Sequence, residues 1–148
     1  GGHPLHWPHT KEFNLGQDVP AAHVIYNSGV PLVQIPCIGV ASHLLTTVPE
    51  LQTHVKGKGA IGYYLFEIFC AHHDDHFAWA KEIWDISAIA WIINAGWFTS
   101  EIVHSPIVTL EKTYSFDHTR HFMRIVTMVY RNPIFADFFR KLERYTQK

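Results

Sequence analysis

The sequence predicts an α/β fold: an open sheet with flanking helices, short of strands for a complete domain. Three observations predict it. Asp18 to Gly29 has an Asp cap, an early Pro20 and a Gly stop, and a β-rich run, Pro31–Cys37, follows at once. A helix followed by a buried strand is half of an α/β repeat. Later helical stretches alternate with only two more β-branched runs, where a sheet averages about five or six strands.

Taken in order, residues 1–18 read as a loop of Gly, Pro, His and Trp without a period. Pro36 ends the first strand. Thr46 or Thr47, with Glu50 in the capping-box region, starts a helix that runs to Gly57. Ala60–Ala80 is a long amphipathic helix, apolar at Ile61, Leu65, Ile68 and Phe69. Ile83–Phe98 is apolar all round and reads as a buried helix, which puts Asp85 at the edge of a core. Ser105–Thr109 and His121–Val129 read as a hairpin or paired strands joined by the polar 111–120 stretch. Asn132-Pro133 caps a last helix from Ile134 to Arg144. There is no internal repeat or domain linker, and 148 residues are enough for one domain with its own core.

Composition narrows the function classes. Hydrophobic residues are 47% and charged residues 17%, a globular balance, and the net charge of −1 gives no pull toward nucleic acid or anionic membrane. The longest apolar run, Ile86–Ser100, falls short of the ~18 residues that span a bilayer. Cys37 and Cys70 lack CxxC spacing; free thiols in a cytoplasmic protein are expected, with a disulfide as the alternative.

Two polar islands carry the chemistry. Lys11-Glu12-Phe13-Asn14 precedes Asp18-Val19-Pro20-Ala21-Ala22, and Gly29-Val30-Pro31 opens the strand; further on comes Trp84-Asp85, then Ala88 and Ala90. In order and separation these segments resemble the nucleoside hydrolases, the inosine-uridine-preferring nucleoside N-ribohydrolase family. The resemblance implies a Rossmann-like open sheet and Ca²⁺-assisted hydrolysis of the N-glycosidic bond of ribonucleosides, as in nucleoside salvage. It makes Glu12 and Asn14 ribose ligands, Asp85 a Ca²⁺ ligand and Trp84 a catalytic residue that stacks on the base. A hard cation fits such oxygens and lowers the pKa of bound water. Carboxylate and amide oxygens suit an oxocarbenium-like transition state.

Two departures shape the expectation. The family's amino-terminal Asp-rich motif has no counterpart here, so the chain reads as the carboxy-terminal half of such a domain, inactive alone. It should self-associate or pair with the other half. Trp84 stands where many members have a histidine, as in purine-specific members, which favours stacking over proton donation.

Other readings stay open. Asp85 is a helix cap or a metal ligand, and Trp84 a core residue or a platform. His72 and His76, at i, i+4 with Asp75 between, form a Zn²⁺ pair or a solvated face. His3, His6 and His9 with Trp7 flank a pocket or sit in a loop. His43 follows the first strand, where α/β folds line ligand crevices, and is a candidate substrate contact. A non-catalytic ligand-binding module with half the pocket is the rival to the enzyme.

Overall fold

The computed structural model describes residues 1–146. In chain order the elements are α1 (Phe13–Gln17), α2 (Val19–Asn27), β1 (Val33–Gln34), β2 (Leu45–Thr46), α3 (Val48–His54), α4 (Gly59–Cys70), β3 (Lys81–Glu82), α5 (Ile86–Ile93), β4 (Phe98–His104), β5 (Ile107–Val108), β6 (Tyr114–Ser115), β7 (Phe122–Val129) and α6 (Arg131–Thr146). Single 3₁₀ turns lie at Ala41–His43 and Ala95–Trp97. The chain divides into two compact units: Gly1–His43 with Trp84–Val129, and Leu44–Ile83 with the stretch from Tyr130.

The first unit holds a mixed sheet of order β1-β7-β4. β1 runs parallel to β7, with Val33 opposite Arg124. β4 runs antiparallel to β7, with a register shift between Thr99 and Ser100. The strand pairing therefore differs from expectation. His121–Val129 pairs with β4 and β1, whereas Ile107–Val108 pairs with Tyr114–Ser115 inside the polar stretch. Pairing partners depend on distant chain, which local pattern does not encode. β1 is two residues long, because Pro31 and Pro36 have no N–H to donate and the N–H of Cys37 bonds to Gly2 O at 2.9 Å.

The core of this unit packs Leu15, Val19 and Tyr26 against Val108, Met123 and Ile125. Asp18 caps α2, accepting from the N–H of Ala21 at 2.8 Å. Arg120 closes its other end. Its Nη2 donates to Tyr26 O at 2.7 Å and to Asn27 Oδ1 at 2.6 Å, and Ser105 Oγ donates to Tyr26 O at 2.7 Å. A cation on the last carbonyls of a helix satisfies orphan acceptors and opposes the dipole.

α5 stops at Ile93, five residues short of the expected end. Asn94 leaves helical geometry and accepts from the N–H of Gly96 at 2.9 Å, and β4 begins at Phe98. Nor is the helix buried all round: Ile92 is 80%, Ile89 58% and Ile93 47% exposed.

In the second unit, Thr47 caps α3 as expected, accepting from the N–H of Glu50 at 3.4 Å. Glu50 pairs with Arg131, whose Nε also donates to Leu45 O at 2.6 Å. The core here is Leu51, Val55, Phe66, Phe69 and Leu142. α4 and the turn after α3 touch at Gly62, where an added Cβ would lie 2.1 Å from Val55 O.

α4 ends at Cys70, not Ala80. Beyond it His73 Nδ1 takes the N–H of Asp75 at 3.1 Å, Asp75 Oδ1 takes that of Phe77 at 2.9 Å, and Ala78 adopts φ 52. Such local side-chain bonds compete with the helix. His72 and His76 thus share no helix face, and His76 Nε2 lies 3.1 Å from Cys70 O. That removes the geometry behind the Zn²⁺ reading. Both thiols are free. α6 starts at Arg131, three residues earlier than expected.

No helix among the described residues is long and apolar enough to cross a membrane.

Gly62→Ala should cost about 1–3 kcal/mol, since the backbone of Val55 must move to admit the methyl group; urea unfolding reads it. The open face of α5 should bind an apolar dye and drive self-association. Light scattering of wild type against Ile92→Glu checks this, and a dye-negative monomer at high concentration refutes it.

Candidate functional site

An open cleft of about 590 Å³ lies in the first unit, lined among others by Gly1, Glu12, Asn14, Cys37, Trp84 and Asp85. Four predicted site residues, from two segments far apart in sequence, thus border one space. His43 does not: it is exposed on the 3₁₀ turn and lies outside the lining. The His3, His6 and His9 strip is also elsewhere. His3 is buried, its ring 4.9 Å from that of Trp7 and its Nδ1 3.2 Å from His9 O.

Glu12 organises one wall. Residues 13–17, expected as loop, form the single turn α1 because the Glu12 side chain caps it. The carboxylate is 7% exposed and holds five donors. Oε2 takes the N–H of Gly2 at 2.8 Å and of Leu15 at 3.1 Å. Oε1 takes the Asn14 N–H at 3.0 Å, Asn14 Nδ2 at 2.9 Å and the Cys37 thiol at 3.4 Å. Two carboxylate oxygens offer about four lone-pair sites, so Glu12 has none left for a sugar hydroxyl. Asn14 is exposed at the cleft surface, and among the described residues its amide oxygen takes no hydrogen bond.

Burial works against the Glu12 charge, but the N–H groups of Gly2, Asn14 and Leu15 and the Cys37 thiol outweigh it, holding the carboxyl at about 2 instead of its ordinary 4.5. The Cys37 thiol is pushed up, first by burial and then by the Glu12 charge, and so stays a protonated donor.

Asp85 also lines the cleft. It precedes α5 with helical dihedrals, φ −78 and ψ −15, and its side chain makes no cap bond. The turn is fixed instead by Ser87, whose Oγ donates to Trp84 O at 2.7 Å. Asp85 thus holds the N-cap position without a capping bond, and among the described residues its exposed carboxylate makes no hydrogen bond. Trp84, beside it, is half-buried and also lines the cleft.

For calcium, the donor chemistry fits in part. Asp85 offers a hard anionic oxygen, whereas Ca²⁺ takes six to eight. Among the described residues no three of His, Cys, Asp or Glu are placed to hold a metal.

Two functional positions carried too little signal in the sequence. Gly2, at φ 75, has no room for a side chain: a Cβ would lie 2.6 Å from Gln34 Nε2 and 2.9 Å from Tyr114 Oη. Cys37 read as a plain buried thiol. The Gly1-Gly2 pair was the available hint; nothing marked Cys37 as a Glu12 partner.

No family model matches this chain, and no curated protein matches it in sequence. Solved structures do. A purine-preferring ribonucleoside hydrolase from Gardnerella vaginalis superposes with a TM-score of 0.76 at 18% identity, over 99% of this chain and 51% of that one. A plant nucleoside hydrolase gives 0.77 at 15% identity, over 96% and 52%. The fold is that of the nucleoside hydrolases. The chain spans about half the length of these structures, so the nucleoside-hydrolase fold is present here in part.

Glu12→Gln should destabilise the chain by about 2 kcal/mol, because bonds to a charge are replaced by bonds to one neutral oxygen. The depressed carboxyl adds stability that is complete above its ordinary 4.5 and lost as pH falls toward about 2. Denaturation from pH 6 to 2 should therefore be steeper for wild type than for Glu12→Gln.

Proposed function

We propose that this chain supplies the ribose- and base-binding half of a nucleoside hydrolase, which cleaves the N-glycosidic bond of ribonucleosides to free base and ribose. The observation that carries the reading is the meeting of Asn14, Trp84 and Asp85 at one cleft in a nucleoside-hydrolase fold. Asn14 meets a sugar hydroxyl, and Trp84 stacks on the base, a contact worth about 1–3 kcal/mol. Stacking favours the larger purine ring. Asp85 gives one oxygen to a Ca²⁺ ion whose remaining ligands come from outside residues 1–146. When bound, calcium orients the ribose diol and acidifies a water. The chain alone is inactive, needing further carboxylates from the other half of the fold or from a partner carrying it. Such a protein works in the cytoplasm in nucleoside salvage.

The rival, a non-catalytic binding module, is favoured by the lack of a three-residue metal group among the described residues. Base release separates the two once the other half of the fold is added.

The isolated chain should release no base from inosine or uridine above background. Release that Asp85→Ala abolishes would overturn the inactivity. Trp84→Ala should weaken inosine binding about 10-fold or more, with a smaller loss for uridine and no rescue by Ca²⁺. Asp85→Ala should weaken the Ca²⁺ dependence of binding and leave base preference intact. Equal losses for both bases with Trp84→Ala, together with a drop in melting temperature, would make Trp84 a core residue.

A further inference from the structure

β1 has one side in the sheet and one side largely bare. It runs parallel to β7, and Leu32 O accepts from the Arg124 N–H at 2.9 Å. Along a parallel strand, successive residues turn their N–H and C=O groups to opposite neighbours. Leu32 and Gln34 therefore face β7, and Val33 and Ile35 face the outer edge. Gly1 and Gly2 already lie on that edge: the Gly1 amino group donates to Ile35 O at 3.1 Å, and the Cys37 N–H donates to Gly2 O at 2.9 Å. These bonds stop at Ile35. Among the described residues the N–H and C=O of Val33 have no hydrogen-bond partner, and Val33 is 37% exposed.

A groove of about 340 Å³ accompanies this edge. α2 packs Val19 and Tyr26 against Met123 and Ile125 of β7. Its Ala21, Ala22 and Ile25 line the groove together with Leu32, Val33 and Gln34, and Ile25 is 49% exposed. No lysine or arginine guards the groove among the described residues. Gln34 is 5% exposed, and its Oε1 is buried without a hydrogen-bond partner. Such an acceptor is rare in a complete structure. The matched hydrolases superpose on 99% and 96% of this chain with only 51% and 52% of their own length, so each has nearly as much chain again to place.

We propose that the outer edge of β1 and this groove are the docking site for the other half of the fold, which adds a strand parallel to β1 and running toward Gly1. The inference rests on the reading of the chain as half of a nucleoside hydrolase and names where its partner attaches. A helix that leads into a parallel strand packs over that strand and a parallel neighbour, and α2 leads into β1 with an apolar flank left over. The added strand takes the Val33 N–H and C=O into its ladder. Its groove-facing side chains are small or apolar against Ala21, Ala22 and Ile25, with one hydroxyl or amide donor for Gln34 Oε1.

The test extends the full chain by four residues directly before Gly1, as Thr-Val-Thr-Val in one protein and Gly-Ser-Gly-Ser in another, to stand in for the added strand. Amide hydrogen exchange is followed by NMR. The Gln34 N–H faces β7, should stay slow in all three chains, and reports that the sheet is intact. The Val33 N–H should exchange freely in the unextended chain, slow about 10-fold or more with Thr-Val-Thr-Val, and change less than about threefold with Gly-Ser-Gly-Ser. A Val33 N–H already slow in the dilute unextended chain overturns the proposal without any variant, and so does one equally fast in all three. Protection that grows with the concentration of the unextended chain assigns the edge to a second copy and also overturns it. Protection by Thr-Val-Thr-Val in chains that bind no inosine supports the docking edge and refutes the nucleoside reading. Inosine binding with Val33 unprotected throughout does the reverse.

Discussion

The Glu12 carboxylate ties together three stretches of chain. Gly2, the Asn14–Leu15 turn and Cys37 all donate to it. A buried carboxylate without donors is costly, and backbone N–H groups at the start of α1 and beside β1 need acceptors of their own. Each need is met by the other, and one wall of the cleft is the by-product. Because the partners are mostly backbone, the wall depends on chain path more than on side-chain identity, with Gly2 as the exception that sterics impose.

The other acid at the cleft follows a different rule. Asp85 sits where a cap would sit, but Ser87 holds the turn and leaves the carboxylate unused. A free carboxylate next to an indole is a poor device for stability and a plausible one for binding. The labour is thus divided between a saturated acid that shapes and an unsaturated acid that can bind.

Local signals were legible in the sequence. Asp18 with Pro20 marked α2, and Thr47 with Glu50 marked α3, because caps act over three or four residues. The apolar period of α4 was legible too, but its end was hidden: spacing continues past Cys70, while Asp75 and His73 bond locally and break the ladder. Strand partners were not legible, since β7 meets β1 across most of the chain. At the site, the order of the two polar islands brought Asn14, Trp84 and Asp85 together. What escaped was direction: that Glu12 faces inward and is filled, that Cys37 donates to it, and that His43 turns elsewhere.

The parallel pairing of β1 with β7 also bears on how the chain folds. Val33 finds Arg124 only after residues 44–83, which belong to the other unit, have been laid between them. Closing so long a loop carries an entropic cost before any contact repays it, and sheets built from distant segments form slowly. During synthesis the pairing of β1 with β7 waits until β7 has left the ribosome. The second unit closes later still, when α6 arrives. A chain of this topology has a long interval in which apolar segments are bare, so its yield in the cell is governed by what shields them during translation as much as by the stability of the finished fold.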